Sequence, residues 1–120
     1  MAKAVPPEDL LPLTSAVFHI LLALSDRERH GYAIMAEVVA QTHGQLRMGP
    51  GTLYGTIKRM LAAGLIEVAD ERPAAKEDDE RRIYYRLTAA GRKVAAAESR
   101  RLSQLVRVAT SKGLVRPRFA

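Results

Sequence analysis

The chain has 120 residues, enough for one domain, and its 48% apolar and 27% charged composition is that of an ordinary globular fold. It contains no cysteine, which excludes disulfide scaffolds, thiolate zinc sites and cysteine nucleophiles. Nineteen Lys and Arg against 13 Asp and Glu leave a net charge of +6, which points to an anionic partner, nucleic acid first and a membrane surface second.

Residues 1–13 are Pro-rich and aperiodic and read as an extended arm. Thr14 or Ser15 is suited to cap a helix, because a hydroxyl accepts from a free amide of the first turn. Ala16, Val17, Ile20, Leu21 and Leu24 then recur at helical spacing, which predicts a first helix over 15–25. A second helix is predicted over 31–42, with Tyr32, Met35, Val38 and Val39 as its apolar face and Gly44 at its end. Residues 45–48 read as a short strand that pairs with a later hairpin. Pro50 suits a helix start, and a third helix follows over 51–63, with Leu53, Ile57, Met60 and Leu61 facing inward. Residues 65–70 and 82–87 alternate as half-buried strands, the second with Ile83, Tyr85 and Leu87 inward. They are joined by a charged loop over 71–80. Thr88 is placed to cap a fourth helix over 89–111, about 35 Å long at 1.5 Å per residue, and residues 113–120 form a basic tail.

The charge is not evenly spread. Residues 67–80 hold 7 acidic and 2 basic side chains, whereas residues 81–118 hold 11 basic ones and only Glu98. For Arg100, Arg101 and Arg107 a solvated helix face accounts for the pattern equally well. The longest apolar stretch, residues 16–24, is interrupted by His19 and falls short of the ~20 residues that span a bilayer. Acidic residues and prolines precede it and no small-residue cleavage site follows, so a cytoplasmic protein is expected.

The fold expected from this order is mainly α with a small β-hairpin: a winged helix-turn-helix domain over 14–88, then one long helix over 89–112. In such a domain the third helix enters the major groove of double-stranded DNA and the hairpin approaches the backbone. The outward face of the third helix has matching chemistry. Thr52 lies at its amino end, where free amides favour phosphate. Tyr54 offers a hydroxyl to a phosphate or packs its ring in the core. Gly55 permits close approach of a DNA strand. Arg59 is suited to a guanine edge, and Lys58 to a base or a phosphate. Surface charge alone is the competing account of the last two.

Four blocks in order, His30-Gly31-Tyr32, Pro50-Gly51-Thr52-Leu53-Tyr54, Gly64-Leu65-Ile66 and Tyr84-Tyr85-Arg86-Leu87-Thr88-Ala89-Ala90-Gly91, resemble the PadR family of bacterial transcriptional regulators over residues 14–92. Each block is weak alone; the set is specific. The resemblance implies a dimeric repressor on a pseudo-palindromic promoter site, with His30 and Tyr32 joining the DNA-contacting set. For some members it also implies release when a small aromatic or drug-like effector binds. Relatives commonly carry proline where this chain has Gly55, and a basic wing tip where it has Glu77-Asp78-Asp79-Glu80. Acidic side chains repel phosphates, so Lys76, Arg81 and Arg82 at the wing base are the better DNA-binding candidates.

The apolar stripe of the last helix, Ala95, Leu102, Leu105, Val106 and Ala109, is too long for one small domain to cover. It is therefore assigned to homodimerisation, with a helix folded back on its own domain as the alternative. The chain lacks tryptophan, so a flat effector sandwiched between indoles is not expected. His19, His30 and His43 lack metal-ligand spacing, Gly49-Pro50-Gly51 lacks a phosphate-loop lysine, and no serine sits in a motif with a base. The expectation is no enzyme, no cofactor and no metal. A winged helix that assembles with proteins is the serious rival; RNA binding is disfavoured by the shortage of stacking platforms.

Overall fold

A computed structural model of the chain describes residues 6–73 and 81–116. In chain order its elements are a 3-10 turn Pro7–Leu10, α1 Ser15–Ala23, β1 Arg29–His30, α2 Gly31–Gln41, α3 Pro50–Ala62, β2 Ile66–Pro73, β3 Arg81–Leu87 and α4 Ala89–Ser111. Three of the helices begin on a side chain that receives a free amide. Thr14 accepts from the Val17 amide at 3.3 Å, His30 from Ala33 at 3.2 Å and Thr88 from Gly91 at 3.0 Å. Helix α3 instead starts on Pro50, whose missing N–H is no loss in a first turn. It stops at Gly64, whose φ of +74° lets the Leu65 amide turn back to the Met60 carbonyl at 3.0 Å.

The core is built where α1, α2 and α3 meet the base of the hairpin and the first half of α4. Ile20 and Leu21, Ile34 and Val38, and Leu53, Ile57 and Met60 are each essentially fully buried, with Leu65, Ile66, Tyr85, Val94 and Ala95 closing the cluster. At roughly 1.5–3 kcal/mol per large apolar side chain, the three from α3 alone fix that helix's rotation. Gly91 lies so close to the Leu65 carbonyl that any Cβ there would collide with it. Thr88 also donates through its amide to Leu65 at 3.1 Å and through its hydroxyl to Gly64 at 2.6 Å. The start of α4 is thereby pinned to the end of α3.

The sheet has the order β1-β3-β2 and is antiparallel throughout. Its third strand is Arg29–His30, paired with Tyr85 and Tyr84, and not residues 45–48 as the sequence suggested. Two residues are too few to show alternation, and Met48 is buried without any strand around it. Strand β2 runs on to Pro73, into the region expected as loop. A bulge at Ala69 shifts its register, so that Val68 opposes Tyr85 and Asp70 opposes Tyr84. Val68 and Ile83 were expected to be half-buried or inward, yet they are 52% and 45% exposed. Val68 sits on an edge strand, and Ile83 lies farther along the hairpin than the core reaches.

Helix α4 is buried at Val94, Ala95, Ala97 and Glu98 and exposed over most of its second half. The Cα radius of gyration is 16.4 Å, against about 14 Å for a compact chain of this length; a helix leaving the core accounts for the excess. Residues 6–13 do not trail away. Their turn lies against α4, where the Leu13 amide donates to the buried Glu98 carboxylate at 2.8 Å. Arg101 closes the other side of that carboxylate. Its hydrogen bonds hold the Glu98 carboxyl below the usual carboxylate range despite burial, with the Leu13 amide adding to them. Among the described residues no helix is long and apolar enough to cross a membrane.

Candidate nucleic-acid interface

Burying Leu53, Ile57 and Met60 turns the opposite face of α3 outward. Thr52, Lys58 and Arg59 are exposed there, and Gly55 is half-exposed. Arg59 is not fully extended from the helix: its Nη2 donates to the Thr56 hydroxyl at 3.2 Å. Thr56 is buried and donates onward to the Thr52 carbonyl at 2.7 Å. A Cβ on Gly55 would meet Arg59 only at 3.6 Å, an ordinary contact, so space inside the chain does not demand glycine there.

Tyr32 and Tyr54 are 63% and 45% exposed. The sequence placed Tyr32 on the apolar face of its helix, but Gly31, Ile34 and Val38 form that face, and Tyr32 points to solvent. Tyr54 does not fill the core. Its hydroxyl rests against Gly31, so closely that a Cβ at Gly31 would overlap it. A cleft of about 230 Å³ opens between His30, Tyr32, Tyr54, Arg82 and Ile83, above Tyr85. Burial raises the Tyr85 hydroxyl above its usual pKa, with neighbouring Tyr54 adding to the shift, so the Tyr85 phenol stays protonated near neutrality.

The wing base reaches the same cleft. The Arg82 Nη1 lies 2.9 Å from His30 Nε2, and Tyr84 sets its ring edge-on to the imidazole at 5.2 Å. Burial first, and the Arg82 charge second, lower the His30 pKa. This junction of α2, α3 and β3 was not readable from sequence, because it depends on β1 pairing with β3. One signal was present: a histidine directly before Gly31 stands where a helix takes its N-cap.

The other candidates fall as follows. Arg81 belongs to β3 by its backbone, and Lys76 and the acidic tip lie outside the described residues. Ala95 is only 8% exposed and is spent in its own chain's core, so it cannot belong to a surface stripe. Leu102 and Ala109 are half-buried, and Leu105 and Val106 are 51% and 53% exposed on the projecting end of α4. Arg29, which was not singled out, is a structural cation. It donates to the Ala23 carbonyl at 2.7 Å and pairs with Asp26 and Glu37.

Three helices packed around one core, followed by an antiparallel hairpin that extends past it, define a winged helix-turn-helix protein. The family model described as the transcriptional regulator PadR-like family matches residues 20–97. The chain is 39% identical over 89 residues to the transcriptional regulator Rv3488 of Mycobacterium tuberculosis, covering 74% of this chain and 77% of that one. It is 35% identical over 101 residues to an uncharacterized 37.1 kDa protein in transposon TN4556 of Streptomyces fradiae, covering 77% of this chain but only 29% of that protein's length. Among solved structures, a PadR family transcription regulator from Clostridium difficile superimposes with a TM-score of 0.68 at 23% identity, covering 82% of this chain and 97% of that one. A PadR-like regulator from Bacillus cereus gives 0.65 at 19% identity, covering 92% and 95%. The chain belongs to the PadR-like family of transcriptional regulators.

Proposed function

We propose that the protein is a homodimeric, sequence-specific binder of double-stranded DNA that represses transcription by occupying promoter DNA. The observation that carries this reading is the outward face of α3, where Thr52, Lys58 and Arg59 are exposed with Gly55 between them, while the opposite face is buried. A helix presented in this way beside a hairpin fits a major groove, with basic side chains at base edges and phosphates. The exposed Leu105, Val106 and Val108 of α4 support pairing with a second copy. A twofold pair would place two recognition helices about 34 Å apart, one turn of DNA.

Fluorescence anisotropy with the duplex upstream of the protein's own gene, against a scrambled duplex at two salt concentrations, tests this. Specific binding that weakens steeply with salt is expected. Arg59→Ala should cost roughly 1–3 kcal/mol of that affinity if Arg59 reads a base. Equal and weak attraction to both duplexes would replace this reading with that of a protein-assembly module.

A further inference from the structure

The His30 ring poses a hydrogen-bonding problem. Its Nδ1 lies 3.2 Å from the Ala33 amide and its Nε2 lies 2.9 Å from Arg82 Nη1. Both neighbours only donate, and a neutral imidazole accepts at one nitrogen alone. If Nδ1 accepts the helix-capping bond, the ring proton is on Nε2. Nε2–H and the Arg82 N–H are then two donors converging on one edge of the cleft. The Tyr54 hydroxyl opens onto the same cleft, held there by the missing side chain of Gly31, and Tyr32 stands at the rim. Among the described residues no carboxylate lines the cleft. Donors that face one another without an acceptor are satisfied by an oxyanion that accepts from both.

We propose that this cleft grips one phosphate of the DNA backbone, His30 Nε2–H and the Arg82 guanidinium donating to it together and the Tyr54 hydroxyl completing the set. The proposal rests on the DNA-binding reading above and adds a shared phosphate to it. Burial and the Arg82 charge both favour neutral His30, the form that keeps the α2 cap while donating from Nε2. The charged and titratable groups around the ring are Arg82 and Tyr84 from β3, Tyr32 from α2 and Tyr54 from α3. The carboxylates nearest in chain order are Glu28, which has an interaction of its own, and Asp26 and Glu37, which Arg29 engages; Asp70, across from Tyr84 in the sheet, is likewise engaged. Among the described residues that line it, the cleft therefore carries the Arg82 charge and no carboxylate. It sits where α3 meets the wing, beside the face assigned to the groove.

The test is duplex binding by the wild type, Arg82→Gln, His30→Asn and the double variant, each measured across a salt series. Asparagine is itself a good N-cap, so H30N keeps the α2 start; R82K is the second variant at the other position, retaining charge without the planar fork. Each single variant is expected to lose roughly 10- to 100-fold in affinity for every sequence. R82Q should also flatten the logarithmic salt slope by about 1, the share of one phosphate. The double variant should lose little more than the worse single one, because both donors serve one phosphate. Losses that multiply in the double variant, or single variants that leave affinity and slope untouched while the wild type binds, overturn the shared grip alone. A wild type with no salt-dependent affinity for any duplex overturns the DNA reading beneath it.

Discussion

Two glycines in helices show how one substitution takes opposite signs. At Gly91 a Cβ would strike the Leu65 backbone carbonyl, which cannot swing aside. Gly91→Ala should therefore destabilise by about 1–3 kcal/mol, outweighing the ~1 kcal/mol that alanine gains in helix propensity. At Gly55 a Cβ would meet, among the described residues, the end of the Arg59 side chain at 3.6 Å, an ordinary contact, so Gly55→Ala should stabilise by up to about 1 kcal/mol. Urea denaturation of both variants checks the pair. If Gly55→Ala also weakens DNA binding, the glycine serves the DNA and not the fold.

His30 gives a pH dependence with a definite sign. Its folded pKa lies below the ordinary 6.5, so in the window between the two values the unfolded chain holds more protons. Stability then rises with pH through that window and is lost as pH falls from about 6.5. His30→Asn keeps a cap and should remove this contribution. Thermal unfolding midpoints between pH 5 and 8 would show it, and an unchanged pH profile in the variant would count against His30 as the source.

On the level of elements, the attachment of residues 6–13 to α4 turns on one buried carboxylate. Glu98 is 2% exposed and meets the Leu13 amide and Arg101. Glu98→Gln preserves the shape and an acceptor for Leu13 but removes the charge that Arg101 answers. A loss of roughly 1.5–3 kcal/mol is expected, the range for hydrogen bonds to charged groups. Because this carboxyl is held low, its contribution is present above the ordinary carboxylate range and lost as pH falls from that range through the lowered folded value. Denaturant melts of E98Q at pH 7 and pH 4 should accordingly differ from wild type more at the higher pH. The hairpin behaves differently. Its Glu67–Arg86 pair at 2.7 Å is half-exposed on both sides and contributes little in water. The hairpin is held instead by Ile66, Tyr85 and the β1 pairing at its base.

For the whole molecule, the proposed pairing with a second copy is tested on the projecting half of α4. Leu105 and Val106 are half-exposed in the single chain, so placing a charge there should not disturb the subunit's own core. Leu105→Glu should leave the thermal unfolding of the domain cooperative while shifting sedimentation from dimer to monomer, with loss of tight operator binding. A variant that remains dimeric would move the interface elsewhere. The apolar stripe read from the sequence ran from Ala95 to Ala109, but only its distal part faces out, because α4 is shared between the subunit's core and its projecting end.

The four helices, the Thr14 and Thr88 caps, the stop at Gly64 and the outward face of α3 follow from local rules that the sequence by itself states. A cap needs a side chain within one turn, and a 3.6-residue period names the residues that share a face. The period does not name what covers that face or how far the cover extends. Tyr32, Val68 and Ile83 lie beyond the core, and Ala95 lies inside it, for that reason alone. The two-residue strand Arg29–His30 has no period to read and exists only because β3 offers it a partner. That pairing brings His30 to Arg82, 52 positions away, so the chemistry of the cleft was decided by tertiary contact.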